Sequence, residues 1–207
     1  MSQPGEVLDL EAVKAREREV PTRRPLPGRL AYVVAGGTAA IWYLLDQATK
    51  VLAVKTLEGR GTVDAGLGGL LEWQLVRNPN AAFGIPGFTG MFVIVSVIVL
   101  VLVVRALPRT DRLLLAFAYG LVAGGALGNL TDRVLRAPGF PDGAVVDFIK
   151  IGWWPTFNIA DAGIVTGAAL IVLLLLLADR EERAREHVRS SHRSVRPETT
   201  GLPGSRE

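Results

Sequence analysis

No cysteine occurs among the 207 residues, which rules out disulfides, thiolate metal ligation and a cysteine nucleophile. Histidine is almost as scarce. His187 and His192 both fall in a polar C-terminal segment, so the pattern gives no support to a histidine-based zinc site or to Ser-His catalysis. The only serine inside an apolar stretch is Ser96, in the middle of one, which argues against a serine nucleophile at a membrane edge. Charge is missing over long distances, although Asp, Glu, Lys and Arg make up 21% of the chain. What is abundant is apolar: 49% of residues are hydrophobic, and they cluster instead of spreading evenly.

The clusters form four runs, at about 30–54, 88–107, 113–130 and 159–178. Each approaches the roughly 20 residues needed to cross a bilayer, and each is continuous instead of alternating, which specifies helices. Polar segments flank them. Residues 1–29 and 179–207 lack the apolar content for a core and read as a disordered N-terminal tail and a charged C-terminal tail. The N-terminal segment is too long for the leading part of a signal peptide and shows no small-residue cleavage pattern, so the first run is expected to be retained. Arginines precede the first run (Arg23, Arg24, Arg29), fill the loop between the second and third (Arg105, Arg109, Arg112) and follow the fourth (Arg180, Arg183). The excess of positive charge places these three segments, and so both termini, in the cytoplasm. The connections 55–87 and 131–158 then face outward. The first contains Leu71-Glu72-Trp73-Gln74-Leu75-Val76, an alternating segment between glycines. The expected fold is membrane α-helical: four transmembrane helices over 30–178, with a small extracytoplasmic β-sheet or cradle between helices 1 and 2. Trp73, Trp153 and Trp154 suit an interfacial aromatic belt.

Polar residues gather at the outer rim of this arrangement. Asp46 and Lys50 stand at i and i+4 on helix 1 and can pair, which lowers the cost of placing both in the membrane; a structural ion pair is the expectation. Gly120, Gly124 and Gly128 make a small-residue stripe on helix 3 that admits a close neighbour. It is followed by Asn129, Asp132 and Arg133, polar groups that need partners at that depth. Asn78-Pro79-Asn80-Ala81-Ala82-Phe83-Gly84, taken alone, is a turn followed by small residues. Asn158-Ile159-Ala160-Asp161, taken alone, is a helix cap with an acidic residue in the first turn. Asp147, in the apolar run Val145-Val146-Asp147-Phe148-Ile149, has no such explanation. The intervening stretch is long enough to fold back, so Asp147 and Asp161 can share one site. Two adjacent carboxylates in a partly apolar site share one proton, and such a pair can activate water and polarise a carbonyl.

These segments resemble the lipoprotein signal peptidase family, the bacterial signal peptidase II. The resemblance rests on Asp46…Lys50, Asn78-x-x-Ala81-Ala82-Phe83, Gly125-x-x-Gly128-Asn129-x-x-Asp132-Arg133, Val145-Val146-Asp147-Phe148 and Phe157-Asn158-x-Ala160-Asp161, in order over about 30–178. It implies that Asp147 and Asp161 are the catalytic dyad. It also implies that Asn78, Ala82, Phe83, Gly125, Asn129, Asp132, Arg133, Asn158 and Ala160 line or support the substrate site. The implied activity is removal of the signal peptide from diacylglyceryl-modified prolipoproteins, before the lipidated cysteine, with sensitivity to globomycin. Two departures stand out: Asn80 replaces the usual glycine, and the segment 135–144 is longer than usual.

The resulting expectation is an aspartic endopeptidase of the bacterial cytoplasmic membrane, with its site near the outer face. Its partners would be lipidated prolipoproteins and membrane lipid. No cofactor, metal or nucleic acid is implied, and a monomer is expected. The rivals are an ion-coupled transporter using Asp46, Lys50 and Asp161, and a non-catalytic scaffold in which the aspartates only cap and pair. The first is disfavoured by clustering of these groups toward one face.

Overall fold

The computed structural model describes residues 28–79 and 89–194. In chain order it contains α1 (Gly28–Leu57), β1 (Val63–Asp64), β2 (Leu71–Asn78), α2 (Thr89–Ala106), a 3₁₀ turn (Leu107–Arg109), α3 (Leu113–Leu135), β3 (Val145–Ile151) and α4 (Ile159–Ser194). The four apolar runs are thus four helices, two of them longer than their apolar content suggests. α3 continues through Thr131-Asp132-Arg133 to Leu135, and Asp132 and Arg133, polar groups expected to need partners, are buried. α4 continues well past residue 178, through the charged stretch that follows.

α3 is the central helix, and glycine is the reason. A Cβ at Gly120 would lie 2.6 Å from the Ala35 carbonyl oxygen, and one at Gly124 would lie 2.7 Å from that of Ala39, so α1 rests directly on the α3 backbone. On the other side, a Cβ at Gly125 would run into the Ala160 carbonyl oxygen, and one at Gly167 would lie 2.7 Å from that of Ala118. α3 is therefore gripped between α1 and α4. The buried positions are small: Ala31, Ala35, Ala39, Ala116, Ala118, Ala126 and Ala160. The large apolar side chains point outward instead, among them Val33, Ile41, Leu44, Ile94, Leu102, Val165 and Leu173. Small residues inside and large ones outside is the pattern of helices whose surroundings are hydrocarbon. By length and composition, three helical stretches can cross a membrane: Gly90–Arg109, Leu113–Leu135 and Ile159–Ala184.

The sheet corrects one expectation. It is antiparallel with order β1-β2-β3, so its third strand comes from the connection after α3 and not from the segment between the first two helices. Val145-Val146-Asp147-Phe148-Ile149 gave no clean polar alternation because both of its faces are covered. Val146 and Phe148 pack on Ala53 and Leu57 of α1, and Trp73 stacks on Phe148 with ring centroids 6.4 Å apart. The pairing sets Val76 opposite Asp147 and Asn78 opposite Val145. After β3 the chain reverses through Gly152, whose φ of 49° favours glycine. Phe157 then pairs with Ile149 through two backbone hydrogen bonds of 2.9 Å. That return delivers the start of α4 beside β3.

Candidate active site

Asp147 enters the site from the middle of β3. Side chains alternate along a strand, so Asp147 shares a face with Val76 opposite and with Asn78 two residues further along β2. Asn78, which local sequence made a turn residue, is the last residue of that strand, and its side-chain amide donates to Asp147 Oδ2 at 3.0 Å. Asp161 enters from the first turn of α4. Its backbone N–H donates to Asn158 Oδ1 at 3.0 Å, and Asn158 N–H donates back to Asp161 Oδ2 at 3.2 Å. This reciprocal exchange is a capping box. Asp161 Oδ1 accepts a further bond, from Asn129 Nδ2 at 2.8 Å. Cap and polar site are thus the same residues, not alternatives.

Asn158 joins the two carboxylates. It is fully buried, and its Nδ2 donates to Asp147 Oδ1 at 2.7 Å and to Asn129 Oδ1 at 3.2 Å. All four oxygens of Asp147 and Asp161 therefore accept an N–H: from Asn78 and Asn158 on one, from Asn129 and the Asn158 backbone on the other. Asp147 is 3% exposed. Burial, and then the neighbouring charge of Asp161, push its pKa up to about 7; the amides of Asn78 and Asn158 act in the opposite direction.

Beneath this pair lies an ionic cluster. Lys50 contacts Asp46 and Asp132, each at 2.9 Å, and all three side chains are inaccessible. The expected Asp46–Lys50 pair is present but belongs to a larger group. Asp132 also accepts from Arg136 at 2.6 Å and from the Val146 N–H at 3.1 Å, while Asp46 accepts from the Ala160 N–H at 2.8 Å. Asp132 is thus a support for β3 and not a wall of an open site. Gly125 and Ala160 lie in the α3–α4 contact. Arg133 donates from Nη1 to the carbonyls of Asn78, Pro79 and Gly143 at 3.0–3.2 Å, tying the end of β2 to the lead-in of β3. The longer segment 135–144 closes on itself, with Gly143 N–H on Arg133 O and Ala144 N–H on Ala137 O. Ala82, Phe83 and Asn80 lie outside the described residues.

Some contributors left no local signal. Gln47 donates to Asp46 at 3.0 Å and to the Gly128 carbonyl at 3.1 Å, and Trp42 Nε1 donates to the Ile159 carbonyl at 2.9 Å. Polar side chains within an apolar helix were the available clue.

Fold and site together define a multi-pass helical membrane protein with a carboxylate-centred polar site beside a small sheet. The chain belongs to the family described as Signal peptidase (SPase) II, whose profile matches residues 38–177. It is 46% identical over 161 residues to the lipoprotein signal peptidase of Rhodococcus jostii (strain RHA1), covering 77% of this chain and 78% of that one. It is 47% identical over 137 residues to the lipoprotein signal peptidase of Streptomyces griseus subsp. griseus, covering 66% and 69%. Among solved structures, a bacterial membrane enzyme determined by the in meso method at 1.9 Å matches with a TM-score of 0.61 and 31% identity, over 74% of this chain and 96% of that one. Family membership makes the protein a peptidase, that is, a hydrolase that acts in lipoprotein processing.

Proposed function

We propose that this protein is an intramembrane aspartic endopeptidase that removes the signal peptide from diacylglyceryl-modified prolipoproteins, cleaving before the lipidated cysteine. The observation that carries the reading is the sharing of Asn158 by Asp147 and Asp161, with every oxygen of both carboxylates held by an N–H donor. A proton on this pair has no acceptor among those donors, so it faces the other carboxylate, water or a substrate carbonyl. Burial raises the Asp147 pKa to about 7, so below that pH the proton sits on Asp147. Asp161 is then the base that takes a proton from water, while Asp147 donates to the scissile carbonyl oxygen. The tetrahedral intermediate collapses as a proton passes to the leaving nitrogen. No covalent intermediate, metal or cofactor is required.

The topology proposed is four spans, with α1 as the fourth. Support comes from its outward side chains, of which Val33, Ile41, Leu44 and Leu52 are exposed and apolar. Arg112 meets Glu181 at 3.3 Å, which brings the α2–α3 connection and the far end of α4 to one side. The arginine excess makes that side cytoplasmic and sets the sheet and both aspartates near the outer face. On this reading residues 30–178 are the peptidase domain of a monomer between two cytoplasmic tails. The substrate's acyl chains lie in lipid between helices, its signal helix enters laterally, and the outer segment with Ala82 and Phe83 clamps it.

The deciding experiment is cleavage of a diacylglyceryl-modified peptide by the purified protein, with and without globomycin. Asp147→Asn and Asp161→Asn are expected to insert normally and cleave nothing. Full cleavage by either variant would end the dyad mechanism, and normal folding without cleavage at any pH would favour a scaffold.

A further inference from the structure

Lys50 is the most deeply buried cation in the described protein, and nothing in the proposed chemistry uses it. An ammonium has three N–H bonds and no acceptor. The structure gives it three acceptors: Asp46 Oδ2 at 2.9 Å, Asp132 Oδ2 at 2.9 Å and Asn129 Oδ1 at 3.0 Å. Each contact leads toward an aspartate of the proposed dyad. The other oxygen of Asp46 holds the N–H of Ala160, next to Asp161. The Lys50-bound oxygen of Asp132 also holds the N–H of Val146, next to Asp147. Asn129 turns its NH₂ to Asp161 at 2.8 Å.

The third contact has a chemical consequence that the first two lack. A side-chain amide can present either its oxygen or its nitrogen, and Asp161 needs the nitrogen. Lys50 can only donate, so it binds the amide oxygen at 3.0 Å, closer than the Asn158 amide at 3.2 Å, and with it directs the NH₂ toward Asp161. A charge-assisted bond of this kind is about twice as strong as a neutral one. Against the effect of burial, the positive charge of Lys50 also lowers the Asp147 pKa, but only the contact with Asn129 is directional.

We infer that Lys50 is a positioning residue of the peptidase, which fixes the Asn129 amide so that it donates to Asp161. This rests on the dyad reading above. Without Lys50, the Asn129 oxygen keeps only the longer bond from Asn158 Nδ2 at 3.2 Å, and the hold of its NH₂ on Asp161 is weakened.

The test uses the full-length protein in the lipidated-peptide assay, with charge balance held. Asp46→Asn/Lys50→Met removes one negative and one positive charge, and the new asparagine oxygen can still accept from Ala160. The double variant is expected to lose about tenfold or more in kcat with KM little changed, as for a misplaced catalytic group. Adding Asn129→Leu to it should then cost less than about twofold more, because Lys50 acts through Asn129. Wild-type kcat in the double variant, or a full additional loss on adding Asn129→Leu, would overturn the inference. Should the double variant fail to insert, Asn129→Leu alone decides: undiminished kcat refutes the role. Asp147→Asn and Asp161→Asn in the same assay separate the two failures. If they retain activity, the dyad reading fails; if they are inactive while the double variant is normal, only the role of Lys50 fails.

Discussion

The side-chain amide of Asn158 donates to Asp147 at 2.7 Å while the rest of the residue caps the helix that carries Asp161. One buried residue thus fixes a strand carboxylate against a helix carboxylate. Capping and bridging use different atoms, so they can be separated by substitution.

Asn158→Ser keeps a capping oxygen but is too short to reach Asp147. Thermal stability is expected to fall by about 1–3 kcal/mol, from the buried bonds to Asp147 and Asn129 that serine cannot make. Cleavage is expected to fall by about a hundredfold, a loss of positioning at the reacting groups. Melting temperature and kcat measured on one preparation check this; parallel losses would make Asn158 merely structural.

Raising the Asp147 pKa from 3.8 to about 7 means that the folded protein holds a proton the unfolded chain releases between those values. Stability from this group is therefore present below about pH 4 and is lost as pH rises to about 7. Asp147→Asn removes the ionisation. It should melt higher than the parent at pH 8, with the gap closing toward pH 5. The parent's kcat should fall along an alkaline limb centred near 7, since the general acid must be protonated. Melting curves of both proteins across this range, and a kcat profile of the parent, test the sign.

A methyl group at Gly125 would collide with the Ala160 carbonyl and come within 2.8 Å of Ile164. Gly125→Ala should destabilise by about 1–3 kcal/mol and lower activity, because α4 carries Asp161 away from Asn129. Gly36→Ala is the contrast: no atom lies within 4 Å of a Cβ there, so it should stabilise α1 by about 0.5–1 kcal/mol. Thermal unfolding in one detergent compares the two, and equal effects would refute the packing account.

Arg133 reaches three carbonyls from Nη1, at the end of a side chain one bond longer than that of lysine, so a lysine ammonium falls short of them. Arg133→Lys should loosen the junction of β2 and β3, seen as faster amide exchange at Gly143 and Val145. Activity should drop by about tenfold as Asn78 loses its place on Asp147. Unchanged exchange with reduced activity would instead point to direct contact of Arg133 with substrate.

Much was legible along the chain because membranes impose a simple rule: every backbone polar group in hydrocarbon must be satisfied within its own segment. Four long apolar runs therefore announced four helices, and Asn158-x-x-Asp161 announced a cap by local geometry alone. The identity of β3 was not legible, since a strand covered on both faces loses the alternation that marks it. The partners that bury Asp132 and Arg133 at the end of α3 were hidden for a related reason. Charged residues at a helix end look solvated until the partners that bury them, Lys50, Arg136 and the Val146 N–H, are known.

By itself the sequence determined the helices, the absence of cysteine chemistry, and the two carboxylates isolated in apolar surroundings. These depend on residue types and on spacings within one segment. Only the tertiary structure decided that Asn158 bridges Asp147 and Asp161, that Lys50 sits under Asn129, and that a third strand arrives from beyond α3. Asn158 and Asp147 are 11 residues apart and Lys50 and Asn129 are 79 apart, and an amide cannot be assigned an orientation until the donors around it are in place.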